Sequence, residues 1–475
     1  MAFLTSMHTE DVALFSQPPY NTAEDKISWT QYKPSYANFG QEGYNSIHFN
    51  IAGNSTQYID LSRTKLYLKL RVVKVDGEDW PADPKTEFGI PIDMILHSMW
   101  SSVDVTLNNI QVSGAGGNYM YKAAIECLLN YGRDTKEFQM RSIGMSPDTG
   151  NFDSIVPGST DGEGGINNGL LIRKKIFGGN GRGSADFKGS LLADICNQGR
   201  LILDAVDVGI TLWPTKNTFR LMSNVEAKLV IDDIYIDVCK VQVNKYCMSG
   251  HKAGLEVSNG LYPMQKTVII TKEIGVGSRT QTWEDIFNGY IPSKMVIGMV
   301  DSDAFAGNFK KNPFRFQHFD ISSMTFTVNG EPTPKEGFQY DMDNKLFIDA
   351  FNSLYEVTGK DGEDCDNGIT HEMWHKGLAL TAFNVDPTTA SDLRYLGVPK
   401  KGHTRLNIQL KNAKTNPITV IIYATFPGRV EIDQMRNVTL KGPQELEQNL
   451  IVAAQHSRAL PKTIATDPPR VPLAS

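Results

Sequence analysis

His371-Glu372-Met373-Trp374-His375 has the spacing HExxH. In a zinc hydrolase, two histidines one helical turn apart bind the metal and the glutamate activates the metal-bound water. That chemistry needs a stable helix through the motif and a third ligand. Thr370 suits a helix cap, but Gly377 follows closely, and Leu378-Ala379-Leu380-Thr381-Ala382-Phe383 beyond it has strand composition. The extended form HExxHxxGxxH is absent, because neither its glycine nor its third histidine stands in place. Upstream, residues 360–368 form a polar loop rather than a scaffold. The expectation is a histidine-bearing single turn at a loop end, with no metal. His371, Glu372 and His375 remain only as the site of an alternative reading, a zinc-dependent hydrolase.

The other candidates fail on their geometry. Gly114-Ala115-Gly116-Gly117-Asn118-Tyr119 resembles a dinucleotide-binding turn, yet Tyr119 stands where the third glycine must let helix and strand pack closely. The strand before it also belongs to a hairpin, so a plain strand-to-helix turn is expected. Gly178-Gly179-Asn180-Gly181-Arg182-Gly183 lacks the Lys-Ser/Thr of a phosphate loop. In the acidic run Asp361, Glu363, Asp364 and Asp366, Cys365 and Gly368 occupy positions where calcium needs oxygen ligands. No GxSxG nucleophile elbow is present. Arg173-Lys174-Lys175, Lys310-Lys311 and Lys400-Lys401 are short, separated basic spots that read as surface. No catalytic residue, cofactor or metal is therefore expected.

The elements that would have to position such groups are mostly strands. In Leu66-Tyr67-Leu68-Lys69-Leu70-Arg71-Val72 the aliphatics face one side and the polar residues the other. Residues 103–107, 406–410 and 418–426 read alike, with turn signals at Asp76-Gly77, Asn108-Asn109 and Asn329-Gly330. Helices are few. The clearest spans 119–130, with Met120, Ala123, Ala124 and Cys127 on one face and Gly132 just past its end. Residues 283–287 suggest a short turn and 444–455 a longer helix. The stretches 158–169 and 178–183 read as glycine-rich surface loops.

An internal repeat organises these strands. His97-Ser98-Met99-Trp100-Ser101-Ser102-Val103-Asp104-Val105-Thr106-Leu107-Asn108-Asn109 aligns without a gap on His318-Phe319-Asp320-Ile321-Ser322-Ser323-Met324-Thr325-Phe326-Thr327-Val328-Asn329-Gly330, an offset of 221 residues (318 − 97). Each copy follows a strand-like segment, 65–74 or 294–300. Tandem duplication of an all-β unit follows, and with many short strands and long loops it points to sandwiches, jelly rolls or barrels. The predicted division is an irregular arm at 1–45, a first unit at 46–245, a second at 246–440 and a helix or flexible tail at 441–475, with the join near 243–254.

Composition narrows the partners. The 475 residues carry 47 basic against 53 acidic side chains, a net charge of -6, so a nucleic-acid coat is disfavoured. The five cysteines are odd in number and scattered, without CxxC spacing, which argues against a disulfide framework or thiolate zinc site and for a reducing compartment. The amino terminus lacks the charged and apolar regions of a secretory signal, and no apolar run is long enough to span a membrane.

Five groups of segments carry a family resemblance. They are Tyr58-Ile59-Asp60-Leu61-Ser62-Arg63-Thr64; Cys127-Leu128-Leu129-Asn130-Tyr131-Gly132; Val296-Ile297-Gly298-Met299-Val300-Asp301-Ser302-Asp303-Ala304-Phe305; Lys311-Asn312-Pro313-Phe314 with His318-Phe319-Asp320; and Val430-Glu431-Ile432-Asp433 with Arg436-Asn437-Val438. In this order they resemble the hexon-type major capsid proteins of adintoviruses and Polinton (Maverick) elements, over about residues 45 to 440. The resemblance implies an all-β double jelly roll, two tandem eight-stranded antiparallel units with a few short helices and long loops. It further implies homotrimeric, pseudo-hexagonal capsomers tiling an icosahedral shell, with neighbouring capsomers, penton and minor capsid proteins as partners. No enzyme activity and no sequence-specific nucleic acid binding would accompany that role. The virion would be its location, after synthesis in the host cytoplasm and assembly in the nucleus. The loops 158–183 and 352–368 would form outer towers or intersubunit contacts. A β-sandwich spike or attachment protein is the remaining alternative.

Overall fold

Alternating apolar and polar residues build the strands of this computed structural model, which describes residues 21–35, 46–81, 87–114, 116–154, 167–178, 183–386 and 397–442. The amino-terminal half contributes β1 (Glu24–Tyr32), β2 (Ile47–Ile51), β3 (Tyr58–Lys74), β4 (Gly89–Pro91), β5 (Trp100–Leu107), β6 (Ile110–Ser113), β7 (Ser184–Ser190), β8 (Val208–Pro214), β9 (Leu221–Ser223) and β10 (Ala227–Val243). The carboxy-terminal half contributes β11 (Gly260–Ile274), β12 (Thr280–Glu284), β13 (Tyr290–Ile291), β14 (Lys294–Asp301), β15 (Ile321–Val328), β16 (Glu331–Gln339), β17 (Leu380–Asn384), β18 (Lys400–Lys401), β19 (Thr404–Leu410), β20 (Ile418–Ile432) and β21 (Val438–Lys441).

Sheet order shows the duplication directly. The first half forms β1-β10-β3-β7 and β2-β8-β5-β6; the second forms β11-β20-β14-β17 and β12-β19-β15-β16. With the small strands β4, β9, β13, β18 and β21 set aside, each half has eight strands. Counted along the chain, both halves read 1-8-3-6 in one sheet and 2-7-4-5 in the other. This is jelly-roll connectivity, repeated. All pairings between these sixteen strands are antiparallel. Among the described residues, no sheet mixes strands of the two halves.

The sequence repeat falls on equivalent strands. β5 and β15 are the fourth strands of their rolls, and both their ends differ by 221 residues (321 − 100 and 328 − 107). The hairpin turns after them match too. Asn108 and Asn109 have φ of 45° and 65°, and Asn329 and Gly330 have 53° and 90°, the left-handed pair that a tight two-residue hairpin requires.

Each roll buries its own aliphatics. Leu66, Leu68, Leu70 and Val72 on β3 are almost fully buried. Removing such a side chain from water is worth about 1.5–3 kcal/mol. Opposite them, Tyr67 stacks on Tyr235 across the strand pair at 4.4 Å on the outer face.

The structure corrects several sequence expectations. The segment 24–32, read as an irregular arm, is β1, paired antiparallel with β10. It is an edge strand whose side chains are mostly half-buried or exposed, so it lacks the apolar signature of a covered one. Residues 280–284 are strand β12, held by β19, rather than the start of a turn at 283. The strand 418–426 does not alternate in exposure: every one of these residues is buried, because β20 has the helix Tyr119–Asn130 and its neighbour strands against it. That helix is itself buried all round from Tyr119 to Leu129 instead of on one face. Helices Asn168–Ile176, Lys245–Val257 and Ile348–Thr358 were not foreseen, and the last replaces the first part of the loop read at 352–368. The helix expected at 444–455 and residues 158–166 of the loop read at 158–169 lie outside the described residues, and the rest of that loop, from 168, starts a helix.

Candidate functional site at the joint between the rolls

The motif His371–His375 does lie on a helix, His371–Gly377. Thr370 Oγ1 accepts the Met373 amide at 3.2 Å and caps it. The buried Trp374 pins it by donating Nε1–H to the Leu380 carbonyl at 2.7 Å. Two turns form where one was expected, since cap and anchor act together. His371 and His375 share a face, as the i,i+4 spacing requires, but that face carries an aromatic column. Phe347 stacks on His371 at 4.1 Å and on His375 at 5.8 Å, and His318 stacks on His375 at 4.9 Å with 12° between the planes. Lone pairs of stacked imidazoles lie in nearly parallel planes and do not converge on one point. Glu372 points to solvent and pairs with Lys376 at 2.6 Å. Among the described residues, no three His, Cys, Asp or Glu side chains are grouped to hold a metal.

The glycine-rich stretch 114–119 runs from the antiparallel hairpin β5–β6 into the helix Tyr119–Asn130, with Gly116 and Gly117 at φ of 61° and 95°. It is a strand-to-helix turn.

The most elaborate polar chemistry lies between the rolls. Lys122 and Glu126 on the helix Tyr119–Asn130 and Asp194 come from the first half; Thr267 on β11 and Tyr423 on β20 come from the second. Lys122 Nζ pairs with Asp194 at 2.6 Å and with Glu126 at 3.6 Å, and also donates to the Leu192 carbonyl at 2.6 Å. The Thr267 amide donates to Asp194 at 3.1 Å, and the Tyr423 hydroxyl donates to Glu126 at 3.3 Å. Burial opposes the Lys122 charge, but Asp194 and Glu126 outweigh it and hold the ammonium above its ordinary value. Burial raises Glu126, with Lys122 opposing.

A second cluster corrects the basic-spot reading. Arg173 is only 2% exposed. Its guanidinium bonds the carbonyls of Pro91 and Ser146 and pairs with Asp148 at 2.6 Å. Asp148 in turn accepts from Asn312 Nδ2 of the other half at 2.6 Å, and Asp153 pairs with Arg315. Burial pushes Asp93, beside Arg173, up to about 6. Beneath this cluster, Tyr121 and Phe219 of the first half meet Phe305, Phe314 and Phe316 of the second, with ring centroids 5.7–6.4 Å apart.

Of the acidic run, Asp366 reaches the joint. Asp366 accepts the Arg133 amide at 3.2 Å, and Lys360 donates to the Leu129 carbonyl at 3.0 Å. Lys136 is buried between the Leu128 and Asn367 carbonyls, and burial lowers it to about 8. On the far side, Arg436 pairs with Asp204 at 2.5 Å, and Asn108 donates to the Arg436 carbonyl at 2.8 Å. Sequence reasoning missed this joint because its partners lie 70 to about 330 positions apart. The one available signal was that segments 127–132, 301–305, 311–314 and 430–438, singled out above, all converge on it.

Two jelly rolls joined by a buried polar and aromatic seam define the class: a double jelly-roll protein. No family model matches the chain. An uncharacterized protein of Caenorhabditis elegans is 24% identical over 436 residues, covering 88% of this chain and 98% of that protein. Among solved structures, the chain is similar to one in the cryo-EM structure of the Sputnik virophage, with a TM-score of 0.54, 11% identity and 94% of each chain covered. It is also similar to the Faustovirus major capsid protein (TM-score 0.53, 10% identity, 90% and 94% covered) and the mavirus major capsid protein (0.51, 10%, 94% and 96%).

Proposed function

We propose that this chain is a major capsid protein with a structural rather than catalytic role. Three copies form a pseudo-hexagonal capsomer, and capsomers tile an icosahedral shell. The duplicated roll carries this reading: a chain with two barrels of the same connectivity presents six barrels when three copies close around an axis, which lets a trimer fill a hexagonal position. The seam supports it, because barrels locked side by side act as one building block. The fold it shares with virophage and Faustovirus capsid chains supports it as well.

On this reading the rolls correspond to 46–245 and 246–440, with β1 added to the first. Its partners are other copies of itself, together with penton and minor capsid proteins, and its place is the virion. The adintovirus and Polinton resemblance names the lineage we favour. Light scattering on the purified chain tests the proposal: three times the chain mass is expected, and a stable monomer at micromolar concentration would overturn it.

A further inference from the structure

Duplication gives the main elements of one roll counterparts in the other, so a surface covered in the seam has a twin elsewhere on the molecule. The helices Tyr119–Asn130 and Ile348–Thr358 are such a pair, since each lies between the fifth and sixth strands of its roll. Their inner faces align at an offset of 230: Ala123, Ala124 and Cys127 match Ser353, Leu354 and Val357, all buried (353 − 123, 354 − 124, 357 − 127). The same offset sets Glu126 against Glu356 (356 − 126). The sheets correspond in register as well. On the third and eighth strands of the second roll, Lys294 stands opposite Thr425 and Val296 opposite Tyr423. On those of the first, Lys65 stands opposite Asp237 and Tyr67 opposite Tyr235. Lys65 and Tyr235 are therefore the counterparts of Lys294 and Tyr423.

In the seam, the Tyr423 hydroxyl donates to Glu126, and Lys294 opens onto the same cavity. Their counterparts are bare. The helix Tyr119–Asn130 is buried all round from Tyr119 to Leu129, whereas on the helix Ile348–Thr358 Ile348 is 54% exposed, and Asp349, Asn352 and Glu356, spaced along one face, are exposed too. β20 is wholly buried over 418–426, whereas Tyr235 on β10 is half-buried and Lys65 beside it is exposed. Lys65 and the Tyr67–Tyr235 stack offer a cation and an aromatic surface to an acidic helix face. The seam sets a first-roll helix on a second-roll sheet. Repeated between chains, the same contact sets a second-roll helix on a first-roll sheet, and three such contacts close a ring of six barrels. We infer that the outer face of the helix Ile348–Thr358 docks on the β3–β10 face of a second copy of this chain, with Glu356 of one copy meeting Tyr235 and Lys65 of the next. The contact presupposes the trimer proposed above and supplies the surfaces that build it.

Photo-cross-linking in the full chain tests this. Glu356 is replaced by photoreactive benzoylphenylalanine, and the irradiated product is mapped by peptide mass spectrometry. The expected link joins different chains, runs at two-chain and three-chain mass, and enters 58–74 or 227–243, the spans of β3 and β10. Charge reversal gives a second readout. Glu356→Lys should weaken the trimer about tenfold in a dilution series followed by light scattering, the loss expected of one close charge contact at an interface. Adding Lys65→Glu should restore it, and the circular dichroism spectrum should stay that of wild type, because both residues are exposed. A link confined to one chain, or mapped to another surface while wild type still scatters as three chains, overturns the contact and leaves the capsid reading standing. So does a Glu356→Lys trimer that is not weakened, or a weakened one that Lys65→Glu fails to restore. A wild-type chain that scatters as a monomer overturns the capsid reading and the contact with it.

Discussion

At the residue scale, the groups that look chemical pack instead, and the buried charges Lys122, Glu126, Asp194 and Arg173 belong to the joint. His318 and His375 are stacked, and the Asp320 amide donates to His318 Nδ1, which favours the neutral ring. Burial first, and His375 second, lower His318 to about 4. A histidine kept neutral on folding stabilises fully above its unfolded value of about 6.5, and that stability is lost as pH falls toward 4. His318→Gln should therefore remove about 2 kcal/mol of the loss between pH 7 and pH 5, read from urea midpoints. Wild type and variant losing stability in parallel would refute it. Charge pairs divide by burial. Lys122→Met strands Asp194 and Glu126 and should cost about 3–5 kcal/mol, whereas Glu372→Gln breaks an exposed pair and should change stability by less than about 0.5 kcal/mol. Equal effects on chemical denaturation would contradict this placement. Lys122, Glu126 and Arg173 were not legible as buried in the sequence, since a charged residue reads as surface until its partner, here up to about 300 positions away, is brought beside it.

At the element scale, legibility followed periodicity and local turn chemistry. β5, β15, β19 and β3 from Thr64 onward alternate over most of their length and are legible as strands, whereas the helix Tyr119–Asn130 is legible in its bounds but not in its all-round burial. β1 was missed because an edge strand buries too little to alternate, and β20 kept its strand reading but not its exposure. The helix Ile348–Thr358 buries Ala350, Ser353, Leu354 and Val357, a helical spacing present in the sequence but broken by a serine on the inner face. Its Ser353 hydroxyl finds partners in the Ala350 carbonyl and Ala382 amide, which makes burial affordable. The paired turns give a direct test of the repeat. Gly330 sits at φ 90°, a region where a branched residue is strained, so Gly330→Val should cost about 1–2 kcal/mol in thermal unfolding. Unchanged stability would mean the hairpin does not adopt the turn.

At the scale of the whole molecule, the seam makes two barrels one body. Phe314 lies between Tyr121 and Phe219 of the other half, so Phe314→Ala should cost about 3–5 kcal/mol and begin to separate the unfolding of the two rolls. Calorimetry checks this: a single sharp transition in wild type should broaden or split in the variant, and an unchanged single transition would show that the rolls are coupled elsewhere. On the proposed capsid role, the slight acidic excess suits a wall that encloses a genome without gripping it. On that proposal, the duplicated barrel lets a trimer occupy a hexagonal place. Electron microscopy of the purified chain tests it most directly. Class averages should show threefold particles with a hexagonal outline and six barrel densities, whereas isolated two-lobed particles at the same concentration would contradict the account.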